Sequence, residues 1–163
     1  MVIGKWLLGA IVLVAVLAVA AGQLGMLQSS APTDLGVRDG RLKAPSATEN
    51  SVTSQAALYP DHPQRSYAEI APLPVRGDGP ATMARITTIV QGMDGAKVVK
   101  AEPGYLYAQF TTPVLRFVDD VEFWYDPANN VIQFRSASRL GRKDLGVNRR
   151  RMEAVRAALA ALP

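Results

Sequence analysis

FVDDVEFWYDPANNVIQFRSASRLGRKDLGVNRRRMEAVR, residues 117–156, decides the reading of the chain. It sets carboxylates and arginines among the apolar residues of two strands and then runs into a helix. Leu115 to Tyr125 and Val131 to Ser138 are rich in β-branched and aromatic residues, and a turn of Asp126, Pro127, Ala128, Asn129 and Asn130 joins them. An antiparallel hairpin is predicted. Charged groups at positions that would otherwise feed a core must be paired or solvated, so the hairpin carries either an ion network or a polar binding site. With a three-residue loop and Asn129 in the left-handed region, Asp126 pairs with Asn130 and Asp119 stands opposite Ala137. That register groups Asp119, Val121 and Phe123 with Gln133, Arg135, Ala137 and Arg139, and makes an Asp119 bridge to Arg135 or Arg139 the expected structural pairing. Asp120, Glu122 and Trp124 then share the reverse face with Ile132, Phe134 and Ser136. A slip of one residue would exchange the two sets.

Working outward, Ala96 to Glu102 and Tyr105 to Thr112 read as a second hairpin turning at Pro103 and Gly104, with Leu106, Ala108 and Phe110 alternating against Tyr105, Tyr107 and Gln109. A helix precedes it. Pro80 suits a first helical position, Met83, Ile86, Ile89 and Val90 follow at helical spacing, and Gly92 supplies the stop. After the charged hairpin, Asn148 is the expected helix cap, and Met152, Val155, Leu159 and Leu162 make one apolar stripe. The order α, β, β, β, β, α predicts a two-layer α+β domain over residues 80–163, with a four-stranded antiparallel sheet and two flanking helices.

The N-terminus is of another kind. From Trp6 to Ala21 the chain reads WLLGAIVLVAVLAVAA, and no charge falls between Lys5 and Asp34, so residues 1–27 hold enough apolar helix to cross a bilayer. A cleaved signal peptide is the alternative, given Ala18, Val19 and Ala20 behind a basic start. The expected placement is a single-pass inner-membrane anchor with the C-terminal domain in the periplasm, or secretion to the periplasm after cleavage. Residues 28–79 read as a proline-rich tether and surface strap, because Gln28 to Pro80 contains seven of the eleven prolines.

Charge is unevenly spread. From Arg135 to Arg156 eight Lys or Arg face two acids, whereas Ser30 to Phe134 carries nine against twelve. A basic C-terminal region on a more acidic body attracts anionic lipid, glycan or protein. Nucleic acid is disfavoured, since the basic segment lacks interleaved aromatics. The chain has no cysteine, which excludes disulfides, thiolate metal sites and thiol nucleophiles. With His62 as its single histidine, no metal site and no cofactor is expected. Ser136 and Ser138 lack a nearby base and read as strand hydroxyls.

FVDDVEF at Phe117 to Phe123, RSASRLGRKDLGVNRRRME at Arg135 to Glu153, and the earlier DGRLK and VTSQA resemble the signature blocks of domain of unknown function 1499, a family of bacteria and plastid-bearing plants. The resemblance covers roughly Leu35 to Leu159. It implies a small secreted or membrane-anchored domain and brings no activity. Members typically carry two cysteines where this chain has Pro45 and Ser51, which implies a disulfide or a site that this chain does without. Two functional expectations follow. The first is a membrane-tethered, non-enzymatic envelope domain that binds an anionic ligand or partner through Arg139, Arg142, Lys143, Arg149 and Arg150, with Asp119, Asp120, Glu122, Arg135 and Arg139 as a charged network. The alternative is an enzyme acting on an envelope lipid or glycan, with Asp119, Asp120 or Glu122 as acid or base.

Overall fold

A computed structural model describes residues 2–162, with side chains from residue 4 onward. The first element, α1 (Val2–Gln23), contains one 20-residue stretch, Gly4–Gln23, of mean hydropathy 2.2. It is long and apolar enough to cross a membrane, and its composition equally suits a signal sequence. Its end touches the domain: Gln23 Nε2 donates to the carbonyls of Pro113 and Val114 at 3.2 and 3.0 Å. Gly22 is required there, because a Cβ would lie 2.5 Å from the Leu115 carbonyl oxygen.

The remainder is α+β. One antiparallel sheet is built from β1 (Ser51–Thr53), β2 (Leu73–Pro74), β3 (Ala96–Glu102), β4 (Tyr105–Thr111), β5 (Val118–Asp126) and β6 (Val131–Ser138). Its order is β1-β6-β5-β4-β3, and β2 also pairs with β6. The sheet therefore has six strands where four were expected. The two extra ones come from the strap and lie along the free edge of β6, at Arg135 to Ala137 and at Val131 to Ile132. Ser54 continues the edge between them, donating its amide to Phe134 O and accepting from Phe134 N. Capping an open edge with short pieces satisfies its backbone groups and blocks pairing with other chains. Two or three residues are too few to show an alternating pattern.

The helices are α2 (Arg65–Ala68), a single turn in the strap, α3 (Gly79–Gln91) and α4 (Val147–Ala161). The expected two flanking helices are α3 and α4; α2 and a 3-10 turn at Ala56–Leu58 are additions. Asp78 caps α3 by accepting from Ala81 N at 2.7 Å, with Pro80 in the first turn. Met83, Ile86 and Val90 of α3 and Met152, Val155 and Leu159 of α4 are buried with Leu106, Ala108, Val121, Phe123, Ile132 and Phe134 of the sheet. This apolar layer is the core.

The other sheet face is covered by chain without helix. Residues 29–47 run from the α1 end of the sheet to its far end and back, reversing at Arg38 and Arg41, which exchange backbone hydrogen bonds. Asp39 and Gly40 between them both have positive φ, 50° and 70°, the turn that an Asp-Gly pair favours. The side chain of Gln55 staples the returning arm, accepting from Leu42 N and donating to Gly40 O. The DGRLK and VTSQA blocks are thus in contact.

Candidate functional site

β5 and β6 pair one residue away from the expected register. Asp126 pairs with Val131, leaving four residues in the turn, and Asn130 rather than Asn129 has the left-handed backbone, φ 50°. Asp126 explains the longer loop, because its Oδ1 accepts from the amides of Ala128 and Asn129 and its Oδ2 from Asn129 Nδ2. The slip exchanges the faces. Asp119, Val121 and Phe123 lie with Ser138, Ser136 and Phe134 under the helices, while Asp120, Glu122 and Trp124 lie with Ala137, Arg135 and Gln133 under the strap.

Asp119 consequently bridges neither Arg135 nor Arg139. Its partner is Arg151 of α4, at 2.6 Å; the carboxylate is buried and the Arg151 side chain is nearly so, 9% exposed. Arg151 also donates to Ser136 Oγ and Asn148 Oδ1, and its guanidinium lies 4.5 Å from the Phe110 ring centroid. This ion pair locks α4 to the sheet. Arg151 was absent from the expected site, although it is three residues after Asn148 and four before Val155, on the inward side of the helix. Asn148 is not the helix cap. Its buried side chain binds Ser136, Ser138 and the Asn50 carbonyl, and Gly146, with φ 77°, takes the cap position. Asp144 supplies the anion instead, accepting from the amides of Gly146 and Asn148 at 3.0 and 2.8 Å and from the Tyr67 hydroxyl.

The strap face gathers the rest of the charged network. Arg139 grips Asp120 with two nitrogens, at 2.8 and 2.7 Å, and donates to Ser29 O just beyond α1. Tyr107 adds its hydroxyl to Asp120 at 2.6 Å. Glu122 is wholly buried; its Oε1 accepts from Gly36 N at 2.6 Å and from the Tyr105 hydroxyl at 2.7 Å, whereas its Oε2 has no partner. Arg135, directly across the ladder from Glu122, is 5% exposed and donates Nε to the Ala44 carbonyl. No ion pair joins Arg135 to Glu122.

Burial pushes the Glu122 carboxyl above the ordinary carboxylate range, against the pull of Gly36, Tyr105 and Arg135. Burial likewise lowers Arg135, opposed by the charges of Glu122, Asp120 and Asp34. Arg139 moves up because Asp120 accepts its hydrogen bonds. Burial works to raise Asp144, but the bonds from Tyr67, Asn148 and Gly146 outweigh it and hold that carboxyl low. Tyr67 is pushed up to about 12 by burial and by Asp144.

Of the five cations expected to bind an anion, Arg139 is committed to Asp120. Arg149 donates to the carbonyls of Tyr67 and Glu69. Arg142, Lys143 and Arg150 are exposed; Lys143 forms a surface pair with Glu49 and Arg150 donates to Leu145 O. Pro45 and Ser51 sit close together, since Ser46 N donates to Ser51 Oγ at 2.8 Å. Among the described residues no cluster of three or more His, Asp or Glu is arranged to hold a metal.

Neither curated proteins nor solved structures match the chain. The profile of the family described as Protein of unknown function (DUF1499) matches residues 41–159, from the returning arm of the strap through the sheet to α4. The chain belongs to that family.

Proposed function

We propose that the protein is a membrane-tethered, non-enzymatic envelope domain that rests on anionic lipid headgroups through its basic loop, with α1 as the anchor and the domain on the periplasmic side. One observation carries this reading. The end of the sheet that meets α1 displays Leu145, 82% exposed, and Val114, 56% exposed, with Arg116, Arg142 and Lys143 exposed in the same two loops and Arg150 exposed in the first turn of α4. Apolar tips set among cations suit the boundary between acyl chains and phosphates. Arg142, Lys143 and Arg150 make the contact, while Arg139 and Arg149 hold the loop in place. The enzymatic reading is less well supported: Asp119 and Asp120 are closed by arginines, and Glu122 is sealed under the strap.

Because the chain has no cysteine, a spin label at Leu145→Cys or Val114→Cys reports one position. In bilayers containing phosphatidylglycerol, both labels are expected to be relaxed by oxygen and shielded from a water-soluble nickel reagent. Ala128→Cys, in the turn at the opposite end of the sheet, should behave as an aqueous control. Full nickel access at position 145 would overturn the membrane-resting surface.

A further inference from the structure

Between the returning arm of the strap and β6 lies a cavity of about 360 Å³, walled in part by Lys43, Ser46, Asp120, Arg135 and Arg139. Two of its cations are engaged, Arg139 with Asp120 and Lys43 with Asp34. Arg135 is not. Its side chain is buried, Nε is held by Ala44 O, and within the described residues neither terminal guanidinium nitrogen has a hydrogen bond or ion pair. Those two nitrogens belong to a residue that forms the cavity wall. A buried guanidinium without a direct counter-ion is costly, and a fork of two free nitrogens matches two oxygens of an oxyanion.

We propose that this cavity binds the phosphate group of a phosphate ester, with Arg135 forking onto two oxygens and the Lys43 ammonium turning from Asp34 to a third. A separate ammonium beside the fork favours phosphate over a carboxylate, which offers only two oxygens. Glu122 does not fill this role, since no ion pair joins it to Arg135 and its bonded oxygen is taken up by Gly36 N and the Tyr105 hydroxyl. The bidentate grip on Asp120 holds Arg139 as a wall. Pro32 also lines the cavity, and Ser29 O is bonded to Arg139, so the site opens close behind α1. Both a lipid phosphate and a soluble phosphate ester reach it. This site is independent of the lipid-facing loop.

The full chain in nanodiscs of phosphatidylcholine, labelled with nitrogen-15 at arginine, would be titrated with inorganic phosphate and with glycerol 3-phosphate. A saturable shift of the Arg135 Nε–H resonance is expected. Lys43→Ala, at a half-exposed side chain, should weaken the binding read at Arg135 about tenfold, and Arg135→Lys, which keeps the charge but not the fork, should weaken binding read by calorimetry about tenfold. The triple variant Arg142→Gln, Lys143→Gln, Arg150→Gln should titrate like wild type, which separates this site from the headgroup surface. If phosphatidic acid in the disc shifts Arg135 and competes with the soluble ester, the ligand is a lipid. If the soluble ester alone acts, it is a metabolite-sized phosphate. An Arg135 resonance unmoved by every probe, or equal titration of wild type and Lys43→Ala, would overturn the site.

Discussion

The two faces of the sheet solve the same problem by different means. Under α3 and α4 the face is apolar, with the Phe123 and Phe134 rings 6.2 Å apart, and the ion pair of Asp119 with Arg151 at its edge is closed and further bonded. Under the strap the face is polar, and its buried charges are completed by backbone groups of a chain segment without helix: Gly36 N, Ala44 O and Ser29 O. A helix brings its backbone already hydrogen-bonded and must offer side chains to a sheet; an extended strap has amides and carbonyls to spend on carboxylates and guanidinium groups. The strap face therefore retains an unpaired carboxylate oxygen, on Glu122, and a guanidinium fork, on Arg135, without a hydrogen bond among the described residues. Unsatisfied groups of that kind are where ligands are gained.

The strongest challenge to this contrast is Asp119→Ala. Removing one partner of a buried pair strands Arg151, and a loss of about 3–5 kcal/mol in denaturant unfolding is expected. A loss under 1 kcal/mol, by the same measure as roughly a surface change, would show that the helix face does not depend on its ion pair. Gly36→Ala tests the strap. Gly36 has φ 104°, which costs an L-residue on the order of 1–2 kcal/mol, and its amide holds Glu122. Hydrogen exchange should accelerate at residues of the strap while α4 amides keep their protection; uniform acceleration would mean that the faces unfold as one unit.

A finer test uses pH. The folded Glu122 carboxyl is raised above its unfolded value of 4.5, so the folded state binds the proton more tightly. Its contribution is fully present below 4.5 and is lost as pH rises through the folded value. Wild type should therefore gain stability relative to Glu122→Gln as pH falls across that window, opposite in sign to Asp144, whose lowered carboxyl loses its contribution in acid. A wild-type-minus-variant stability difference independent of pH would remove the raised carboxyl. The smallest effect belongs to Glu49→Ala, which breaks the exposed pair with Lys143; roughly 0.5 kcal/mol or less is expected, and a larger change in melting midpoint would show that this surface pair matters to the fold.

Sequence by itself determined much of the frame. The apolar N-terminal helix, both hairpins, Pro80 in the first turn of α3 and the inward stripe of Met152, Val155 and Leu159 follow from local periodicity and turn chemistry, which act over a few residues. Family membership was legible in FVDDVEF and the arginine-rich block for the same reason: linear motifs survive without a fold. Tertiary structure decided what depends on distant partners. The Asp126 turn takes one more residue than a compact hairpin loop, and that single residue moved Asp119 beneath α4 and Asp120 and Glu122 beneath the strap. β1 and β2 are too short to carry a pattern and exist because β6 has an edge to fill. Arg151 reads as a solvated helix charge until Asp119 is placed opposite it, and Arg135 reads as part of an ion network until the strap buries it with its fork unpaired. Charge identity is written in the chain, whereas the pairing of charges is a property of which surfaces the fold brings together.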